Sequence, residues 1–254
     1  MIVLSLLVGW LALVEGASLS ARVIGGLDAP DHKYPYMVSL RRRYPSGRPD
    51  FHFCGGAILD KHWILTAAHC VQGNLSIAYA VAGTNYLSDA GESYKVWFKI
   101  THPDYNNFLH DDIALVRIKG SIEFNKHVQP VKLPSRSSKI SSSSAVFAGW
   151  GRKMIAGTSS NALQEISLKI ISNDFCNLYF GGITERHTCT FNRADEGMCF
   201  GDSGSALVAD GVQIGIASFV RPCAVGYPDV FTRVSKYVDW IKEVQDKYAL
   251  ILPD

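Results

Sequence analysis

Three short stretches carry side chains that could do nucleophilic chemistry. In Met198-Cys199-Phe200-Gly201-Asp202-Ser203-Gly204-Ser205-Ala206-Leu207 a serine stands between two glycines, beside an aspartate and four residues after a cysteine. A serine hydroxyl is a poor nucleophile near neutral pH. It needs a base, and the oxyanion that its attack creates needs hydrogen-bond donors. Glycine has no Cβ, so a tight turn can aim backbone N–H groups at one point. This is not the G-x-S-x-G elbow, because position 205 is Ser. Taken alone, the stretch reads first as a Gly-rich turn. Leu65-Thr66-Ala67-Ala68-His69-Cys70 offers an imidazole and Asp111-Asp112-Ile113-Ala114-Leu115 a carboxylate. A single His beside a Cys is more often structural than catalytic. Together, in the order His, Asp, Ser, the three stretches supply a base, an orienter and a nucleophile.

The elements that must position these groups read as short strands broken by turns. Met37 to Leu40, Phe53 to Leu59, Trp63 to Ala67, Ile77 to Ala82, Tyr94 to Ile100 and Ile113 to Ile118 have strand composition. Residues 128–144, with Pro130, Pro134 and a run of serines, read as a connection over the surface. Beyond it Ile166, Leu168 and Ile170 alternate with polar residues, and Val212 to Phe219 and Val230 to Val234 are further strands. Residues 173–180 read as a short helix. Tyr237, Val238, Ile241, Val244 and Tyr248 fall on one face of a closing helix. Two all-β halves joined by a linker result, and closed barrels remove strand edges at this size.

The chain has 254 residues and a net charge of only +2, which does not imply a nucleic-acid partner. Residues 1–14 are almost wholly apolar but too short to span a bilayer, and Gly16, Ala17 and Ser18 follow. They read as a signal peptide (1–16), although no Lys or Arg precedes the apolar run. No later segment reads as a membrane anchor, so the expected product is soluble and secreted. The six cysteines, Cys54, Cys70, Cys176, Cys189, Cys199 and Cys223, then suggest three disulfides with fifteen pairings open. The lack of any C-x-x-C or H-x-x-x-H pair argues against zinc. Val23-Ile24-Gly25-Gly26 after Arg22 reads equally as a processing site or as a strand start with a turn. Arg41, Arg42, Arg43 and Arg48 make one loop basic, which reads first as a solvated loop, with a docking patch for acidic partners as the alternative. Asn74-Leu75-Ser76 has the glycosylation acceptor pattern.

From Arg22 to about Tyr248 the chain resembles the chymotrypsin/trypsin family of serine proteases. The resemblance rests on Val23-Ile24-Gly25-Gly26, Thr66-Ala67-Ala68-His69-Cys70, Asp112-Ile113-Ala114-Leu115, Gly149-Trp150-Gly151 and the serine stretch. It implies an all-β fold of two six-stranded antiparallel β-barrels with a C-terminal α-helix. The protease domain would run over 23–254: a barrel over about 23–128, a linker over 129–144, a barrel over 145–234 and the helix over 235–250. It makes His69 the base, Asp112 rather than Asp111 its orienter, and Ser203 the nucleophile. The N–H groups of Gly201 and Ser203 become the oxyanion hole, and Ser218 supports the aspartate. Cys54 would pair with Cys70, Cys176 with Cys189 and Cys199 with Cys223. Residues 17–22 become an activation peptide, cut after Arg22 by a trypsin-like protease, so that the α-amino group of Val23 pairs with Asp202.

The resemblance also locates a specificity pocket around Gly197, Met198, Phe200, Ser218, Phe219, Val220 and Asp229. Gly197 takes the floor position, where trypsin has an Asp. With Met198 and Val220 it favours an apolar residue before the cut bond. Asp229, in place of a glycine, would bring in a carboxylate. A floor Gly with that acid resembles crustacean collagenolytic members, an arthropod-type pocket of broad specificity. A chymotrypsin-like or broad preference is expected over a trypsin-like one using Asp229. The loop after Gly83 offers only Asp89 and Glu92 as acids, so neither a metal nor another cofactor is expected. Expected partners are polypeptide substrates, protein protease inhibitors and the activating protease, with the chain itself a monomer. The alternative is a catalytically silent homologue acting as a binding module, although all three triad members are present.

Overall fold

A computed structural model describes residues 24–45, 47–106, 110–221 and 223–250. The expected signal and activation peptides, with Arg22 and Val23, lie outside the described residues. A two-residue strand, β1 (Leu27–Asp28), comes first. Six strands then close a barrel in the order β2-β3-β4-β7-β6-β5. They are β2 (Met37–Arg42), β3 (Phe51–Ile58), β4 (Trp63–Thr66), β5 (Ala78–Ala82), β6 (Glu92–Thr101) and β7 (Ala114–Ile118). Six more form the second barrel: β8 (Ser144–Gly149), β9 (Gln164–Ile171), β10 (His187–Thr190), β11 (Ala206–Ala209), β12 (Val212–Val220) and β13 (Asp229–Arg233). Their order is β9-β10-β13-β12-β11-β8; β8 pairs again with β9 to close the ring, and β1 adds to β9. All of these pairings are antiparallel. The expected fold class is the one observed.

Alternation explains the strands that the sequence displays. In β9, Ile166 and Leu168 are buried while Ser167 and Lys169 face out. The strands without a readable period are the buried short ones. All four residues of β10 and all four of β11 are buried, so neither has a solvent face to set a pattern. β8 begins at Ser144, inside the serine run that reads as linker.

The first barrel is filled by Leu40, Ile64, Leu65, Leu115 and Ile118, the second by Phe147, Leu168, Leu207 and Phe231. Trp150, Leu163, Met37 and Val131 fill the seam between them. The first helix, α1 (Asn173–Asn177), is shorter than the expected 173–180. Ser172 caps its start, and the Asn177 side chain turns away to bond both backbone groups of Ile183. The closing helix, α2 (Val238–Lys247), starts later than the expected 235, because Val234–Lys236 form a 3₁₀ turn. Its buried residues Ile241 and Val244 pack on the first barrel, so the end of the chain braces its beginning.

The cysteines pair as Cys54–Cys70, Cys176–Cys189 and Cys199–Cys223. The first closes a sequence separation of 16, a loop length for which closure entropy contributes about 3 kcal/mol. It ties β3 to the turn that carries His69.

Candidate active site

β4 and β7 are paired, with Thr66 opposite Ala114. His69 follows the end of β4 in a single 3₁₀ turn (Ala68–Val71), and Asp112 precedes β7. Strand pairing therefore brings residues 43 apart in sequence to one barrel end. His69 Nδ1 donates to Asp112 Oδ2 at 2.7 Å, and the His69 backbone N–H donates to Oδ1 at 2.9 Å. A carboxylate oxygen accepts here, so Nδ1 is the donor, and Nε2 is left to face the cleft. Asp112 is 2% exposed. Its second donor is the hydroxyl of Ser218, at 2.6 Å from Oδ2. Ser218 sits at the bulge of β12 between Ala217 and Phe219. Asp111 points elsewhere: its carboxylate accepts from Arg186 Nη1 at 2.7 Å and from the Tyr237 hydroxyl at 2.8 Å.

Ser203 comes from the second barrel, just before β11. Its carbonyl accepts from Gly55 N–H at 2.7 Å, which fastens it to the first barrel. His69 and Ser203 line one cleft of about 360 Å³ together with Met198, Phe200, Phe219 and Val220. The peptides around Ser203 are held from behind. Arg152 N–H donates to Phe200 O at 2.8 Å, and Ser205 N–H donates to Asp202 O at 3.1 Å. In a trans peptide the N–H points opposite to its C=O, so the N–H groups of Gly201 and Ser203 face away from those anchors. Gly201 takes φ +95°, a backbone angle that favours glycine.

Asp202 is buried at 1% exposure and accepts N–H bonds from Gly151 at 2.8 Å and Cys199 at 2.9 Å. The glycines of Gly149-Trp150-Gly151 make its room: a Cβ would stand 2.1 Å from the carboxylate at Gly149 and 2.2 Å at Gly151. Burial pushes Asp202 up to about 7, and no ion pair reaches it among the described residues. Asp229 is also buried, and burial pushes it well above the usual carboxylate range. Its Oδ2 accepts from Met198 N–H at 2.9 Å. It stands against Gly197, where a Cβ would lie 2.7 Å from Oδ2. Neither Gly197 nor Asp229 lines the cleft, which Met198 lines instead.

One neighbour of the site had no sequence signal. His52 Nε2 bonds Gly201 O at 2.9 Å and Nδ1 bonds Ser39 Oγ at 2.8 Å. Burial drives its pKa down to about 4, against the opposing pull of the Gly201 carbonyl. The His69, Asp112 and Ser203 arrangement can carry a proton from a hydroxyl to an imidazole whose other nitrogen is held by a buried carboxylate. That is the chemistry of acyl transfer through serine.

The Trypsin family model matches residues 23–241. The chain is 44% identical over 225 residues to chymotrypsin-2 of Vespa crabro, covering 88% of this chain and all of that protein. It is 34% identical to trypsin 5G1 of Aedes aegypti, covering 89% of this chain and 85% of that protein. It is 33% identical to trypsin II-P29 of Gallus gallus, covering 97% and 98% respectively.

Proposed function

Because the chain belongs to the trypsin family and is a serine endopeptidase, we propose that Ser203, His69 and Asp112 carry the reaction. The carrying observation is the His69–Asp112 pair opening with Ser203 onto one cleft. Ser203 Oγ attacks the scissile carbonyl while His69 Nε2 takes its proton. The tetrahedral oxyanion is held by the N–H groups of Gly201 and Ser203. His69 returns the proton to the leaving amine, and water repeats the cycle on the acyl-enzyme. Asp112 holds the imidazole in the productive tautomer and stabilises its charged form. The edge at Ser218, Phe219 and Val220 pairs with extended substrate backbone.

The protein is made as a secreted zymogen in this reading, with protein inhibitors and a trypsin-like activator as partners and a monomer as the working form. Two observations support the activation step. The Ile24 carbonyl accepts from Gly197 N–H at 3.1 Å, so the start of the described chain lies against the serine loop. A buried Asp202 whose pKa is raised is ready for a cation. The α-amino group of Val23, freed by a cut after Arg22, provides one. Losing one partner of a buried pair costs about 3–5 kcal/mol, or at least about 100-fold in the population of the ordered site. Arg22→Gln is expected to stay uncut under a trypsin-like activator. It should cleave a chromogenic peptide at least about 100-fold slower than the cut wild type, and should resist fluorophosphonate labelling of Ser203. Wild-type rates from uncut Arg22→Gln would refute the activation step.

The P1 preference in this reading is apolar or broad, because Met198, Phe219 and Val220 line the cleft and Asp229 stands behind Met198. Asp229→Asn keeps an acceptor for Met198 N–H and removes the charge. It is expected to leave the ratio of cleavage after Arg or Lys to cleavage after Phe or Leu within about twofold on a peptide library. A fall in that ratio of about 100-fold, the scale of a lost buried charge contact, would make Asp229 a selector of basic residues.

A further inference from the structure

A buried arginine stands at the head of a hydrogen-bond chain that ends on Gly201. Arg41 is 3% exposed, although it sits within an arginine run that reads as a solvated loop. The fold explains why. Ser39 and Arg41 are two apart on β2 and share a face. β3 bulges between His52 and Cys54, so His52 is placed directly opposite Arg41. The three polar side chains meet on one face of the first barrel, against the loop that connects β5 to β6. Arg41 Nη1 donates to Leu87 O at 2.9 Å and Asp89 O at 3.0 Å, and Nη2 to Tyr86 O at 3.4 Å. Its Nε–H donates to Ser39 Oγ at 3.0 Å.

Donor chemistry sets the direction of the whole chain. Arginine has no acceptor, so at Ser39 it can only donate. At the other end the Gly201 carbonyl can only accept, so His52 Nε2 carries the ring proton and donates to it at 2.9 Å. Nδ1 of the neutral ring is then the acceptor for the Ser39 hydroxyl, 2.8 Å away. Burial and the Arg41 charge both hold His52 in its neutral form. We propose that Arg41 is a positioning residue for the oxyanion site. Through Ser39 and His52 it fixes the Gly201 backbone, and it couples the 84–92 loop to that site. The inference rests on Gly201 N–H acting as an oxyanion donor, as proposed above. Removing an oxyanion donor outright costs about 10²–10³ in rate. Loosening one from three residues away is expected to cost about 5–10-fold.

Three variants separate positioning from mere support of the loop. Arg41→Lys keeps a cation for the loop carbonyls but puts a methylene where Arg41 has Nε–H. Ser39→Ala keeps every loop contact of Arg41 and breaks the next link. Arg41→Met removes both functions. On the cut enzyme, each is expected to lower kcat about 5–10-fold with KM unchanged. Each should weaken a peptidyl trifluoromethyl ketone, which forms an oxyanion on Ser203, by a similar factor. The Ser39→Ala/Arg41→Met double variant should lose no more than the worse single variant, as members of one chain do. Arg41→Lys and Ser39→Ala leave buried polar groups unpaired and should lower Tm by several degrees, but both should fold, so they decide the question even if Arg41→Met does not. Wild-type kcat and ketone affinity in Arg41→Lys, or losses that multiply in the double variant, would overturn the proposal. Failure of the underlying reading shows differently: the wild type itself would then form no ketone adduct.

Discussion

Replacing Ser203 with alanine is expected to lower kcat on a peptide substrate by about a millionfold, with KM within about threefold of wild type. The substitution removes one oxygen and little else. Ser203 is held through its backbone, by its carbonyl on Gly55 N–H, and that bond survives the change. Tm should therefore stay within about 2 °C of wild type, since the hydroxyl lies on a cleft wall and not in the packed core. Substrate binding should persist because Met198, Phe219 and Val220 are untouched. What remains is catalysis by positioning and oxyanion donors alone, about 10³–10⁴ over water. The Ser203→Ala/His69→Ala double variant should be no slower than Ser203→Ala, because a base with no hydroxyl to deprotonate contributes nothing. Steady-state kinetics on the cut enzymes, with a fluorophosphonate titre to count wild-type sites, provide the check. A Ser203→Ala rate within tenfold of wild type would leave the reaction to some other group.

Asp112→Asn is the second large effect, with an expected fall in kcat of about 10⁴. The new amide would present a donor or a weaker acceptor to His69 Nδ1 and Ser218 Oγ, which now share Oδ2 at 2.7 and 2.6 Å. A donor facing Nδ1 forces the imidazole proton onto Nε2, where it blocks acceptance from Ser203. The backbone anchors of the segment are unaffected: Thr232 Oγ1 still donates to Asp112 O at 2.8 Å. Asp111→Asn is the informative control. Asp111 holds Arg186 and Tyr237 and makes no contact with His69 among the hydrogen bonds of the described residues. Its substitution should cost stability, about 1–3 kcal/mol for a weakened buried charged bond, and keep kcat within about tenfold. Urea midpoints and kcat measured on both variants distinguish the two adjacent carboxylates. Equal losses of kcat would mean that the site does not discriminate between them.

The residues differ in how much of this could be read along the chain. A strand such as β9 is legible because one face is wet and the other dry, and that contrast is written every second residue. β10 and β11 are buried on both sides, so Thr188, Thr190, Leu207 and Val208 show no contrast to read. The end of α1 depends on Asn177 finding Ile183, a partner beyond the helix itself. At the site, the His, Asp and Ser stretches are visible through local composition. His52 is not: it is one histidine among eight, and its link to Gly201 spans 149 residues. The arginine run shows the same limit from the other side. Arg43 is exposed enough to pair with Asp50 on the surface, while Arg41, two residues earlier, is buried in a polar chain. A strand inverts the direction of each successive side chain, but only the bulge in β3 decides what lies across from it.

Asp229 makes the same point for specificity. Its position in the chain places a carboxylate near the pocket, but not on which side of the pocket wall. Packing puts Met198 in the cleft and turns the acid onto Met198 N–H, where burial raises its pKa. Read from the chain alone, strand composition and alternation reached two all-β halves, and the resemblance carried by five local motifs implied two six-stranded β-barrels and a serine protease. Those properties depend on neighbours in sequence. How the Gly201 carbonyl is held and whether a given charge is wet or dry were decided only by the tertiary structure, whereas the motif around Asp112 already implied which aspartate meets the imidazole. Hydrogen bonds and desolvation act over a few ångströms of space, and the residues that meet there are separated by tens to more than a hundred positions along the chain.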